Sequence, residues 1–323
     1  MTTAEQISNL DSAAEPSEML PKEFLLKYPL LNIIGNTPLV EIAVFKEEFP
    51  NVNIMAKAEW RNPGGSLKDR PVLLMLGKAL LSGELKEGQT ILDSSSGNAG
   101  IAYAMIGAVL GFDVEIIVPG NASRERIERM KAHGATVITT DPLEGYDEAL
   151  REVHRRYDEN PDKYFFVDQY KNDNNWKAHY YGTANEIIQQ THGDITHFVS
   201  GVGTGGSITG IGRRLKEYNP DIKIVMVDAE PFPGIEGLKP LDEPNSIIPE
   251  IFDSTLVDEK IKVQAEDAKG MTEMLAKRGF FLGQSSGAYL YACGEMAKNV
   301  SEANIVTLLP DIGERYFSTG LWS

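Results

Sequence analysis

From Ile54 onward the sequence alternates short β-branched or aromatic runs with amphipathic stretches, and Gly, Ser, Asn or Pro stands at each junction. The runs are Asn53–Ala58, Thr90–Asp93, Val114–Val118, Ala135–Thr139, Tyr164–Val167, His197–Ser200, Lys223–Val227 and Asn304–Leu309. Parallel strands need long crossovers, so this rhythm predicts βαβ units and an α/β fold with twisted, mostly parallel sheets flanked by helices. Candidate helices Ile101–Leu110, Arg124–His133 and Asn174–Gln190 each run toward a glycine, the usual C-terminal stop. The stretch Pro231–Pro249 breaks the rhythm with five prolines and reads as a long loop of functional kind. No internal repeat exists beyond the βα alternation. A length of 323 residues exceeds one small core and favours two domains.

Composition removes several classes of function. With 31 basic against 47 acidic residues the chain carries a net charge of -16, a field that repels nucleic-acid backbones and anionic membrane surfaces. Trp60, Trp176 and Trp322 do not cluster with basic residues, so no stacking platform for nucleic acid is expected. Cys293 is the single cysteine, which excludes intramolecular disulfides and thiolate zinc sites and fits a reducing, cytoplasmic setting. His133, His154, His179, His192 and His197 show no metal-ligand spacing, so no metal is expected. The longest apolar stretch, Ile101 to Phe112, is too short to span a bilayer. Residues 1–20 lack a basic leader and read as a polar tail.

Four Gly/Ser-rich junctions sit where the chain enters a helix, the place where free N–H groups and the helix dipole favour anions. In Asn62-Pro63-Gly64-Gly65-Ser66-Leu67-Lys68-Asp69-Arg70, Ser66 and Asp69 have capping-box spacing, which places Lys68 in the first helical turn. There the dipole, desolvation and nearby Arg70 would depress its pKa, as a Schiff-base lysine requires; a solvated lysine paired with Asp69 is the plainer alternative. Asp93-Ser94-Ser95-Ser96-Gly97-Asn98-Ala99-Gly100 could grip a carboxylate without a formal positive charge, or serve as an ordinary N-cap. Ser200-Gly201-Val202-Gly203-Thr204-Gly205-Gly206-Ser207 can close its backbone on a phosphate. The glycines at 201, 203 and 206, with Asp228 after the next strand, also satisfy the dinucleotide fingerprint, a rival reading. Gly283-Gln284-Ser285-Ser286-Gly287 offers a neutral hydroxyl to a heterocyclic nitrogen, or a helix cap.

Together and in this order the four motifs resemble the fold-type II (tryptophan synthase β-like) pyridoxal phosphate enzymes, nearest the cysteine synthases (O-acetylserine sulfhydrylases) and the cystathionine β-synthase core. The likeness runs from Ile34-Gly-Asn-Thr-Pro-Leu-Val to Pro310-Asp311-Ile-Gly-Glu-Arg315-Tyr316. It implies pyridoxal 5'-phosphate as cofactor, bound as a Schiff base to Lys68. Gly203, Thr204, Gly205, Gly206 and Ser207 match the phosphate cup, and Ser285 the partner of the pyridine nitrogen. Ser95, Ser96, Gly97, Asn98 and Ala99 match the loop for the amino-acid carboxylate, with Asn98 also facing the cofactor's 3-hydroxyl, and Gln169 matches the carboxylate-contacting glutamine. A dinucleotide enzyme would leave Lys68 and the serine loop without a role, so the rival gives way. Neutral Ser285 would keep the ring a weak electron sink and favour β-elimination.

The resemblance implies β-replacement: an activated serine displaces Lys68, the freed amine removes the α-proton, the β-substituent leaves an aminoacrylate, and sulfide or a thiol adds. Two departures bear on substrate. Ala99 stands where the family has a threonine, and the loop after Glu230, Pro231-Phe-Pro-Gly-Ile-Glu-Gly-Leu-Lys239, holds no arginine to pair with a leaving phosphate. O-acetylserine is therefore the expected donor, unless Arg124, Arg126 or Lys239 reaches the site after folding. The alternatives are an O-phosphoserine-dependent enzyme, condensation of serine with homocysteine, and, without catalysis, a regulatory partner of serine acetyltransferase. The chain carries no tandem domain after Ser323 and no Cys or His for a haem in residues 1–50, which counts against the homocysteine reading. A smaller domain over 61–170 and a larger one from 39–60 with 171–323, with the cofactor between them, are expected, in a homodimer.

Overall fold

The computed structural model describes residues 18–322 apart from 96, 144 and 243–245. Ser96 and most of the expected tail thus lie outside the described residues, whereas Leu20, placed in that tail by its sequence, is buried. It fills the space beside Gly77, where a Cβ would stand only 2.6 Å from it.

All eight runs are strands. In chain order the strands are β1 (Leu39–Glu41), β2 (Val52–Ala58), β3 (Thr90–Ser94), β4 (Val114–Pro119), β5 (Thr136–Thr140), β6 (Tyr164–Phe166), β7 (His197–Gly201), β8 (Lys223–Ala229), β9 (Glu259–Val263) and β10 (Ala303–Leu309). They form a six-stranded sheet of order β1-β2-β10-β7-β8-β9 and a four-stranded sheet of order β5-β4-β3-β6. Every pairing is parallel except β1 with β2, where Leu39 faces Lys57. A parallel sheet covered on both faces needs apolar residues throughout, and β4 (Val-Glu-Ile-Ile-Val-Pro) is buried along its whole length. Its one acid, Glu115, is satisfied by Arg156 and Tyr164.

Apolar clusters back both sheets. One surrounds the six-stranded sheet, with Phe198, Ile224, Leu290 and Leu308 among its fully buried members. A second packs helices Asp69–Ser82 and Asn98–Leu110 against the four-stranded sheet, and a third seals that sheet's other face. The Asn98–Leu110 helix is apolar nearly all round and correspondingly buried from Ala99 to Gly107. It stops at Gly111, whose φ of 83° is the left-handed conformation that glycine adopts freely. The expected helix Asn174–Gln190 is interrupted by a π turn at His179–Thr183. Helix Gly206–Tyr218 comes so close there that a Cβ on Gly210 would lie 2.1 Å from the Trp176 carbonyl. The Pro231–Pro249 stretch holds no helix or strand among its described residues.

Because β2 and β10 are parallel neighbours, the loops leaving their carboxyl ends meet. The Leu67 N–H donates to the Pro310 carbonyl at 2.9 Å, and Ser66 bridges to Asp311. A buried charge network braces the same corner. Lys57, fully buried, donates to the Thr37 carbonyl (2.5 Å) and to Glu186 (2.7 Å), while Arg70 spans Glu59 (2.7 Å) and Glu186 (2.6 Å). Among the described residues no helix is long and apolar enough to cross a membrane.

Candidate active site

A cleft of about 470 Å³ opens at the carboxyl ends of β3, β7, β8 and β10, the edge where α/β sheets bind ligands. Lys68, Ser95, Asn98, Ala99, Gln169, Gly203, Thr204, Ser207 and Ser285 all line it. Gly97, Gly205 and Gly206 shape the same loops without facing the cavity. Ser96 lies outside the described residues.

Lys68 does not sit where a capping box would put it. The helix starts at Asp69, and Lys68 is the residue before it. Ser66 Oγ accepts from the Lys68 N–H (3.3 Å), and the Asp69 carboxylate turns back to the Gly64 N–H (2.5 Å), so the two side chains close a tight loop instead of capping each other. Arg70 is not the cause of a depressed lysine pKa either, because its guanidinium points away into Glu59 and Glu186. Dense packing around the amine lowers the Lys68 pKa by desolvation, and the Asp311 charge partly offsets this. No hydrogen bond or ion pair engages Nζ among the described residues, so the amine stands free in the cleft.

The loop after β3 is built around a buried acid. Asp93 accepts from the Tyr103 hydroxyl (2.5 Å), the Ser94 N–H (2.8 Å) and the Gln169 N–H (3.3 Å). Burial still pushes its pKa up to about 7. Ser95 Oγ accepts from the N–H groups of Gly97 (3.0 Å) and Gly100 (2.9 Å), which pins the backbone at the start of the helix to the Ser95 side chain. Gln169 Nε2 is tied to the Ser94 carbonyl at 2.6 Å. Asn98 uses both ends of its amide. Nδ2 donates to Asp311 (2.7 Å) and Oδ1 accepts from Arg315, whose other arm holds the Gly64 carbonyl. Asp311 also accepts from the Tyr316 hydroxyl at 2.6 Å. In the sequence Asp311 stands only within the motif Pro310-Asp311-Ile-Gly-Glu-Arg315-Tyr316, and nothing local marks it as reaching Asn98.

The glycine loop after β7 turns at Gly205, in the left-handed region at φ 83°, into helix Gly206–Tyr218, with Gly203, Thr204 and Ser207 lining the cleft. It has no room for side chains. A Cβ on Gly205 would lie 2.6 Å from Phe252, and one on Gly206 only 2.1 Å from Asn175 Oδ1. Buried Asn175 donates to the Gln169 carbonyl (2.7 Å) and to Thr204 Oγ1 (3.1 Å), coupling this loop to the wall opposite. Sequence reasoning passed over Asn175. Ser285 enters the cleft in the first turn of helix Gln284–Ala297.

Two of the three cations left open by the sequence reach the cleft. Arg126 is buried beneath Gly97, with its guanidinium over the Tyr316 ring at 4.5 Å and Nη1 on Glu236 at 2.8 Å. Lys239 pairs with Asp147 at 2.8 Å. Arg124 instead lies on the surface with Glu128. The whole donor set is an unengaged amine, a helix end with no space for Cβ atoms, and a neutral hydroxyl. It fits pyridoxal phosphate: an aldehyde to Lys68, a phosphate to residues 203–207, a ring nitrogen to Ser285. Among the described residues no group of three or more His, Cys, Asp or Glu could hold a metal ion.

Comparison with known proteins identifies the family. Residues 30–311 match the family model described as pyridoxal-phosphate dependent enzyme, and the chain belongs to that family of enzymes. A cysteine synthase of Aquifex aeolicus is 51% identical over 302 residues, covering 91% of this chain and 92% of its own. The crystal structure of a cysteine synthase from Entamoeba histolytica superposes with a TM-score of 0.83 at 38% identity, covering 91% of this chain and 90% of that one. That of an O-acetylserine dependent cystathionine beta-synthase from Helicobacter pylori gives 0.84 at 31% identity, with 91% and 98% covered. Within the family, the chain falls with the cysteine synthases.

Proposed function

We propose that the protein makes L-cysteine from O-acetyl-L-serine and sulfide. The observation that carries this reading is Lys68, which lines the same cleft as Gly203, Thr204 and Ser207 and whose amine has no hydrogen bond or ion pair among the described residues. Pyridoxal phosphate, when bound, supplies the electron sink that labilises the substrate's α-proton. In the balanced reaction the Cβ–O bond of O-acetylserine breaks, a Cβ–S bond to hydrosulfide forms, and acetate leaves.

This chain's residues divide the work. Lys68 anchors the cofactor, and its amine then takes the α-proton, a task suited to a lysine whose charged form is disfavoured by burial. Gly203, Thr204, Gly205, Gly206 and Ser207 hold the phosphate with N–H groups and hydroxyls, and Ser285 meets the pyridine nitrogen. Ser95, Ser96, Gly97, Asn98 and Ala99, with Gln169, receive the substrate carboxylate. O-acetylserine is favoured because both cations that reach the cleft, Arg126 and Lys239, already carry carboxylate partners. The two sheets are the cores of two lobes, 61–170 and 39–60 with 171–323. The setting is cytoplasmic, the assembly a homodimer, and serine acetyltransferase a candidate partner.

The test is the visible spectrum of purified protein with O-acetylserine, O-phosphoserine and serine in turn. A yellow band that shifts with O-acetylserine and recovers on adding sulfide is expected, with cysteine as product. Protein that stays colourless with added pyridoxal phosphate defeats the reading. The Helicobacter pylori neighbour favours one second reading, in which homocysteine replaces sulfide as acceptor; cystathionine formation measured in the same cuvette decides it.

A further inference from the structure

A second cavity, of about 190 Å³, shares a wall with the active-site cleft. It is enclosed by helix Gly145–Glu159, the turn after β6 and the end of the proline-rich loop. Gln169 lines the cleft, its neighbour Asp168 lines the second cavity, and Tyr170 lines both. The chain turns sharply there. Asp168 adopts the left-handed conformation at φ 50°, and its carbonyl accepts from the N–H groups of Lys171 and Asn172, both at 2.9 Å. Leu150, Ile247 and Ile248 give the cavity apolar walls. Two polar groups inside it lack the partners that a closed interior would supply. The half-buried Asp168 carboxylate forms no ion pair among the described residues; desolvation raises its pKa, and Lys171, His154 and the Tyr170 N–H offset this only in part. His154 crosses the Phe166 ring nearly at right angles, with centroids 4.9 Å apart, and makes no hydrogen bond among the described residues. The charges at the rim are already committed, since Lys171 pairs with Glu250 at 3.1 Å and Arg151 with Glu148 at 2.7 Å.

We propose that this cavity is a second ligand site that takes a small aliphatic α-amino acid as its zwitterion, with the ammonium on Asp168, the carboxylate on His154 and the side chain against Leu150, Ile247 and Ile248. An apolar cavity with a few inward polar groups is the ordinary form of a small-molecule site, and at well under the roughly 300 Å³ of drug-sized pockets this one suits a small occupant. A half-buried carboxylate calls for a cation, and an unengaged imidazole offers a hydrogen bond to an acceptor. A simple anion would meet Asp168 as a like charge, and a simple cation would leave His154 without a partner; a zwitterion satisfies both. Occupancy would be felt in the cleft. A ligand that holds Asp168 and Tyr170 steadies the turn carrying Gln169, whose Nε2 is tied to the Ser94 carbonyl at 2.6 Å. Binding itself goes beyond the cysteine synthase reading, and only its effect on turnover rests on that reading, through the substrate carboxylate assigned to Gln169.

The probe is L-leucine, added to the holoenzyme and followed by calorimetric titration and by the visible spectrum, which reports any reaction of its amine with the cofactor. Two variants are compared with wild type. Asp168→Asn keeps the shape of the side chain and tolerates the left-handed backbone, and His154→Phe keeps a ring against Phe166. Leucine should bind wild type without shifting the visible band, and each variant, at wild-type Tm, should weaken binding about tenfold or more, the loss of one charge-assisted contact. Isovalerate and isoamylamine, which each lack one of the two charges, should bind no better than leucine binds the variants. Saturating leucine should change the KM for O-acetylserine about fivefold or more in wild type and leave it unchanged in Asp168→Asn. Absence of binding to wild type overturns the inference, as does binding undiminished in both variants. Heat that tracks a shift of the visible band and survives Asp168→Asn places leucine on the cofactor and overturns it equally; binding with an unchanged KM overturns the coupling of the two cavities. A wild type that turns over no O-acetylserine defeats the cysteine synthase reading, and the titration still decides the second site.

Discussion

Gly206→Ala offers a sharp test of how the glycine loop is held. The new Cβ would stand 2.1 Å from Asn175 Oδ1 and 2.9 Å from Cγ, whereas non-bonded carbons settle at about 3.5 Å or more. The Asn175 amide must retreat by roughly 1 Å, and it cannot do so while keeping its 2.7 Å bond to the Gln169 carbonyl and its 3.1 Å bond to Thr204. Overpacking costs about 1–3 kcal/mol and each of the two lost hydrogen bonds about 1 kcal/mol, for a total of about 3–5 kcal/mol. By the usual scaling for large domains that lowers Tm by roughly 5–10 °C. Calorimetry on Gly206→Ala, Asn175→Ala and the double variant measures it. Removing the amide makes room for the methyl, so the double variant should be less destabilised than the two losses added together. Cofactor affinity, titrated by visible absorbance, should fall with Gly206→Ala. Additive losses, or a Gly206→Ala protein with wild-type Tm and cofactor affinity, would refute the packing argument.

Lys68→Ala should abolish turnover and the visible cofactor band while leaving the fold intact, since Nζ bonds nothing among the described residues; more than trace cysteine formation would count against the assignment. Burial pushes the Glu186 carboxyl up, yet Arg70 and Lys57 outweigh it and hold the group at about 2 against an ordinary 4.5. Ionised Glu186 therefore contributes roughly 3 kcal/mol above pH 4.5, lost as pH falls toward 2. Glu186→Gln should flatten the acid side of a stability profile measured by urea unfolding. At neutral pH the same variant should lose about 3 kcal/mol or more, because Lys57 and Arg70 are left underpaired in the interior. Tyr103→Phe removes the 2.5 Å bond to Asp93 and should cost about 1–3 kcal/mol. Asp93 already has its pKa raised to about 7, so its native form is penalised as pH rises. The deficit of Tyr103→Phe should thus be larger at pH 8 than at pH 5; equal deficits would contradict it.

Most parallel strands were legible as runs of apolar or β-branched residues, which β4 and β7 bury nearly along their whole length and β5 (Thr-Val-Ile-Thr-Thr) leaves partly exposed. β9 was not, since Glu259-Lys-Ile-Lys-Val alternates charge with apolar residues, as an edge strand does when lysines guard its open side. β1 is only Leu-Val-Glu and owes its existence to its pairing with β2. Within the site, the loops announced themselves through glycine and serine, whose chemistry is local. The residues that brace those loops did not. Asn175 is marked by no motif, Asp311 reaches Asn98 only where the loops after β10 and β3, from different sheets, meet, and Glu236 meets Arg126 only once the proline-rich loop has folded over the cleft. The capping-box spacing at Ser66 and Asp69 misled because the Gly64 N–H offered Asp69 a better-placed donor.

The meeting of the loops after β2 and β10 also fixes when the site can come into being. Arg315 grips the Gly64 carbonyl across 251 residues of chain, and Leu67 hangs from Pro310. The ribosome releases Lys68 long before it makes either partner. The four strands of the smaller sheet emerge consecutively and can pair at once, but the larger sheet waits for its last strand, which inserts between β2 and β7. The pocket around the lysine is therefore assembled last, and cofactor capture belongs to the finished polypeptide rather than to the nascent one.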